Sequence, residues 1–231
     1  MIPVSAPPIP MNSSRRYDLI CFDVDGTLVK HPTGKVIWEI LNLRFTGSDE
    51  VNRVRYGMYR AGNLTYADWV ALDVQGWIDA GATRDAIETA VREFTPVDGA
   101  VETVWELRRR GLKLAIVSGT LDVVIDTLFP EHPFDDVFSN GLVFDGAGRL
   151  TGWSATSFDI HGKPDAVRQL ARKHGATLER TAFVGDGDND VPVIGVAGTV
   201  VAFHPRSAEL ERRADHVLTN GGMHALLDIL G

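Results

Sequence analysis

The stretch DLICFDVDGTL, Asp18 to Leu28, decides the fold. Leu19 to Phe22 is a short apolar run with no polar alternation, the pattern of a strand buried on both faces of a parallel sheet. The run ends on one carboxylate, Asp23, and a second follows at Asp25. Carboxylates at i and i+2 point the same way if the strand continues. If the chain turns sharply, as Gly26 permits, they can face each other across a site. Taken alone, the pattern is equally that of a strand running out into a solvated turn.

Working outward, the same kind of strand recurs. Leu112 to Ser118 is apolar and follows a helical segment, Ala100 to Arg110, that stops at Gly111. Thr181 to Gly185 follows a helix from about Pro164 to His174, with proline suited to its first turn and Gly175 to its end. Thr199 to Phe203 and His216 to Leu218 are shorter strands. Strands alternating with helices predict an α/β fold with a doubly wound parallel sheet. Residues 30–95 break the rhythm with helical patterns and no buried strand, so they are expected to form a small helical cap. The core is then 15–29 and 96–231. Residues 138–160 alternate like a hairpin, with Asp145-Gly146 and Gly148 at the turn.

Composition narrows the function. The hydrophobic fraction is 44% and the charged fraction 23%, as in ordinary globular proteins. A net charge of −8 argues against nucleic acid or an anionic membrane as partner. It leaves room for a small phosphate site at helix ends. The single cysteine, Cys21, cannot make an internal disulfide, so a cytoplasmic location is expected. Met1 to Ser14, rich in proline and serine, reads as a disordered tail, with Met11 an alternative start.

Three of the four segments that carry chemistry lie just after strands, where ligands bind in open parallel sheets. Beside Asp23 and Asp25 stands Ser118-Gly119-Thr120, either an anion cradle at a strand-to-helix junction or a simple helix cap. Lys163, at a helix start, is either a fixed positive charge or a solvated surface lysine. Gly185-Asp-Gly-Asp-Asn-Asp190 crowds polar groups after an apolar strand, which is costly unless a cation joins them. The spacing of Asp186, Asp188 and Asp190 is also that of a calcium loop. Val191 stands where that loop needs glycine, however, and no late glutamate follows.

Together and in this order, the four segments resemble the haloacid-dehalogenase superfamily, and within it the phosphoserine-phosphatase-like group. TPVDGA (Thr95 to Ala100) and GLVFDGAGRLTG (Gly141 to Gly152) add to the likeness. The resemblance implies a magnesium-dependent phosphomonoester hydrolase that works through an aspartyl-phosphate on a small phosphorylated metabolite. Asp23 is then nucleophile and metal ligand. Asp25 is the general acid and base, and its carbonyl also binds magnesium. Ser118, Gly119 and Asn189 hold phosphate, Lys163 neutralises charge, and Asp186 and Asp190 serve the metal. A phosphotransferase or mutase with the same intermediate, or a non-catalytic phosphate-binding regulator, are the alternatives.

The likeness breaks in the cap. An ungapped match of the segment after Asp23 puts Pro32 where the group has an amine-binding glutamate, and matching Gly62 to Tyr66 to the group's cap helix puts Asp73 where it has a carboxylate-binding arginine. At 100° per residue, Tyr66, Trp69, Val70, Asp73 and Trp77 share one helix face. Asp73 is therefore either a core residue paired with Arg53, Arg55 or Arg60, or part of a surface that reads a substrate's cationic end.

Overall fold

A computed structural model describes residues 16–231, so the expected tail over residues 1–14 lies outside the described residues. Strand β1 (Leu19–Phe22) is central. It pairs in parallel with β4 (Lys113–Leu121) on one side and β7 (Thr181–Gly185) on the other. The sheet continues to β5 (Asp136–Phe144) beyond β4, and to β8 (Thr199–Phe203) and β9 (His216–Leu218) beyond β7. Only β6 (Leu150–Ser154), at the β5 edge, runs antiparallel, completing seven strands.

Alternation along the strands explains why both faces are covered. Ile20 and Phe22 join one core cluster with Leu114, Ile116 and Val184. Leu19 and Cys21 join the other with Ala115, Val117 and Phe183, beneath Ala166, Val167 and Leu170 of helix α7 (Lys163–His174). Burial holds the Cys21 thiol well above its ordinary range.

The segment expected to be helical carries α1 (Ile37–Thr46), α2 (Glu50–Arg60), α3 (Tyr66–Asp79) and α4 (Arg84–Val91). Thr65 caps α3 by accepting the Asp68 N–H at 3.1 Å. The buried face of α3 holds Val70, Asp73, Val74 and Trp77. One feature was not foreseen: β2 (Val29–Lys30) and β3 (Thr95–Pro96) pair antiparallel and bring the segment's two ends together. Two-residue strands carry too little periodicity to be read from sequence.

A second difference concerns Ser118 to Thr120. They do not sit at a helix start. They lie inside β4, where Val117 pairs with Phe138 and Leu121 with Asn140, so residues 118–120 bulge opposite Ser139. The following helix, α6 (Asp122–Leu128), begins only afterwards.

Candidate active site

The carboxyl ends of β1, β4 and β7 meet on one edge of the sheet, and four predicted groups converge there. Asp23, 4% exposed, follows β1 directly. Lys163, fully buried at the start of α7, donates to Asp23 Oδ1 at 2.7 Å and to Asp190 Oδ1 at 2.6 Å. Burial alone would lower the lysine's pKa, but Asp190, Asp23 and Asp159 outweigh it and lock the ammonium charged. The other oxygen of Asp190 accepts the N–H groups of Asp186 and Gly187, each at 2.9 Å. Oxygens of Asp23, Asp186 and Asp190 lie within 4.8 Å of one another.

That crowding has an electrostatic signature. Burial first, and then repulsion from Asp23, push the carboxyls of Asp186 and Asp190 above the usual range, although Arg206 and Lys163 pull the other way. Burial and the Asp23 charge likewise push Asp25 up to about 6. Gly26 makes the turn between these groups with φ +98°. A Cβ there would come within 2.3 Å of Asp186 Oδ2, so the position requires glycine on both counts.

Above the sheet edge the helical segment walls one side of a cavity of about 410 Å³. Its core side includes Asp23, Asp25, Ser118, Gly119 and Asn189. Ser118 Oγ accepts the Thr120 N–H at 3.2 Å. The Gly119 carbonyl is held by Trp38 Nε1 and Asn140 Nδ2, both at 2.8 Å. Asn189 Nδ2 donates to Asp159 Oδ1 at 3.1 Å. The cap side includes Glu39, Asn52, Tyr56, Trp69 and Asp73.

Asp73 is a core residue that also borders the cavity. It is fully buried and paired with Arg55, and its Oδ1 also accepts Asn42 Nδ2 at 3.1 Å, yet it lines the cavity. Burial raises its pKa, and Arg55, Asn42 and Trp69 oppose that rise. Pro32 is exposed and lies outside the cavity lining. The carboxylate that this stretch sends to the cavity is Glu39, in the first turn of α1, where it also accepts the Val36 N–H at 2.9 Å.

Arg206 and Asp159 were missed as well. Arg206 pairs with Asp186, and its Nη2 donates to the Asp25 carbonyl at 3.0 Å, so that carbonyl is already engaged. Asp159 sits against Gly119, where a Cβ would meet its carboxylate at 2.0 Å. Arg206 follows β8, and a search past the end of every strand would have reached it. Nothing local marks Asp159.

At the strand ends of this doubly wound sheet, buried carboxylates thus surround a buried lysine. The sequence pattern of the haloacid dehalogenase-like hydrolases matches residues 20–194, and a second pattern of the same description matches residues 159–230. The chain belongs to this family and is a phosphoserine-phosphatase-like member of it. It is 35% identical over 220 residues to phosphoserine phosphatase SerB2 of Mycobacterium tuberculosis, covering 94% of this chain and 51% of that protein. It is 30% identical over 220 residues to a phosphoserine phosphatase of Methanocaldococcus jannaschii, covering 92% and 97%. The chain thus spans about half the length of the first relative and nearly all of the second. A solved structure described as a phospho-aspartyl intermediate analogue of phosphoserine phosphatase superposes with a TM-score of 0.74 at 27% identity, covering 94% of this chain and all of that one. No helix among the described residues is long and apolar enough to cross a membrane.

Proposed function

We propose that the protein is a magnesium-dependent phosphomonoester hydrolase in which Asp23 is the nucleophile. The observation that carries this reading is the pairing of buried Asp23 with buried Lys163 at 2.7 Å, with Asp23 lining a cavity whose other wall is the cap. Binding phosphate alone would not call for a carboxylate there, because two like charges repel.

The donor set suits a hard divalent cation. Three buried carboxylates, Asp23, Asp186 and Asp190, supply oxygen ligands close together, and their mutual repulsion is relieved by one. When bound, magnesium neutralises charge on the phosphoryl oxygens. The rest falls to side chains. An Asp23 oxygen attacks phosphorus, the bond from phosphorus to the leaving oxygen breaks, and Asp25 gives that oxygen its proton. Asp25 then takes a proton from water, whose oxygen attacks the same phosphorus. The Asp23–phosphorus bond breaks, and inorganic phosphate and the free carboxylate return. Ser118, the Gly119 N–H and Asn189 hold phosphoryl oxygens, and Lys163 keeps nucleophile and phosphate from repelling each other.

The test is release of inorganic phosphate from an aryl phosphate, with and without magnesium, after exhaustive chelation. Turnover that stops on chelation and returns with magnesium, but poorly with calcium, is expected. Full activity without metal removes the metal from the reading. Transfer to an added alcohol in place of free phosphate identifies a phosphotransferase, and no turnover of any ester leaves a phosphate-binding regulator.

A further inference from the structure

We infer that the phosphomonoester bound here carries an alkylammonium group and no carboxylate in its leaving part, an inference that rests on the hydrolase reading above. The cavity lining bears six carboxylates, Asp23, Asp25, Glu39, Asp73, Asp159 and Asp188, against one guanidinium, Arg206. Arg206 is committed to Asp186 and the Asp25 carbonyl at the phosphate end. Glu39 and Asp73 face the cavity from the cap, on helices α1 and α3, and so meet the part of the ester that leaves. Arg55 is paired with Asp73, and Lys35, the cation beside Glu39, is paired with Asp49; neither lines the cavity.

The cap wall also presents hydrogen-bond acceptors in want of donors. Asp73 uses Oδ1 for Arg55 and Asn42, while its Oδ2, buried, has no partner among the described residues. Asn52 Oδ1, on α2 and lining the same cavity, is in the same condition. A buried acceptor without a donor costs free energy, and an ammonium group offers three donors at once. Beside these acceptors, Tyr56 and Trp69 line the cavity with ring centroids 5.9 Å apart, and aromatic faces attract a cation. A carboxylate brought to the same wall meets Glu39, Asp73 and the Asn52 acceptor; Trp69 Nε1, an unpartnered donor on that wall, is neutral, and no uncommitted cation lines the cavity to receive it.

The decisive measurement is kcat/KM for four esters: phosphoethanolamine, glycerol phosphate, phosphoserine and an aryl phosphate. Phosphoethanolamine is expected to exceed both glycerol phosphate and phosphoserine by about tenfold, the size of one desolvated charge contact. Asp73→Asn keeps the side chain's shape and frees Arg55, so the ratio of phosphoethanolamine to phosphoserine should fall by about tenfold. Asn52→Leu serves if Asp73→Asn fails to fold, and should lower the ratio of phosphoethanolamine to glycerol phosphate several-fold. Hydrolysis of the aryl phosphate together with a tenfold preference for phosphoserine overturns this inference and leaves the hydrolase reading standing. Equal rates for phosphoethanolamine and glycerol phosphate overturn it too, because the charge is then not read. Failure to hydrolyse any of the four overturns both.

Discussion

On the core side of the cavity, Asp23, Asp186 and Asp190 share Lys163 and Arg206, and backbone N–H groups pin one of the three from the turn after β7. On the cap side, Asp73 has Arg55 and Asn42 on one oxygen and leaves the other open. The core groups stand at strand ends, so their positions follow from the sheet. The cap groups stand on α1, α2 and α3, and their meeting depends on how those helices pack. Under the proposed function, the difference separates chemistry from selectivity. Helix-borne residues can change the wall without disturbing the carboxylate cluster beneath it.

The comparison breaks most sharply at Asp23. Asp23→Asn replaces the nucleophile with a poor one, and loss of turnover by ~10⁴-fold or more is expected, with an unchanged melting temperature to within a few degrees. Acid quenching of wild type with labelled substrate should trap phosphate on Asp23. Retention of more than a few per cent of the activity in the variant would put the nucleophile elsewhere.

Asp25→Asn should cost ~10²–10⁴-fold on alkyl phosphates, where the leaving oxygen needs a proton, and less on aryl phosphates, where it does not. Equal losses for the two, with chemistry rate-limiting, would remove Asp25 from proton transfer. Among alkyl phosphates, Asp25→Asn should leave the ratio of phosphoethanolamine to glycerol phosphate unchanged, because both leaving oxygens need the same proton.

On the cap side the expected effects are on stability and selectivity. Asn42 is fully buried and bridges Trp77 Nε1, at 2.8 Å, to Asp73. Asn42→Ala strands Trp77 Nε1, removes one of the two donors on Asp73 Oδ1 and opens a small void, and should lower unfolding free energy by ~2–4 kcal/mol, measured by denaturant titration. A loss below ~0.5 kcal/mol would mean the bridge does not hold the wall in place.

The smallest effect lies at the opposite edge of the sheet. Asp135 pairs with Arg108 at 2.6 Å and Lys113 at 2.8 Å, and accepts the Leu114 N–H at 3.1 Å. Burial would raise its pKa, but those partners outweigh it and hold it at about 2. Because the folded value lies below the unfolded value of ~3.9, the stabilisation is complete above pH ~4 and fades as pH falls through about 2. Asp135→Asn should therefore cost ~1 kcal/mol at neutral pH, after allowance for solvent screening. The variant and wild type should converge at the acid end. A constant difference across pH would assign the effect to packing.

What could be read from the sequence was local. Strands Thr181–Gly185 and Thr199–Phe203 fall where the apolar runs put them, because a strand buried on both faces needs only its own residues to be recognised; the partly exposed edge strand His216–Leu218 falls where its short run does too. Asp23, Asp186, Asp190 and Lys163 were legible for a related reason: each stands at or next to an element's end, marked by glycine, proline or an interrupted apolar run. The Thr65 cap and the α3 face were equally local.

What the tertiary structure alone decided were the partnerships. Arg53, Arg55 and Arg60 are equivalent candidates on paper, and only the packing of α2 against α3 selects Arg55 for Asp73. An ungapped match pointed to Pro32, which is exposed, whereas the carboxylate that reaches the cavity from this stretch is Glu39, on the first turn of α1. The bulge at residues 118–120, the β2–β3 ribbon, and the arrival of Arg206 and Asp159 at the site are non-local too. Hydrogen bonding and charge are satisfied by whichever group the fold brings within reach. Sequence periodicity carries the direction of a side chain from its own element, and carries nothing about what another element sends to meet it.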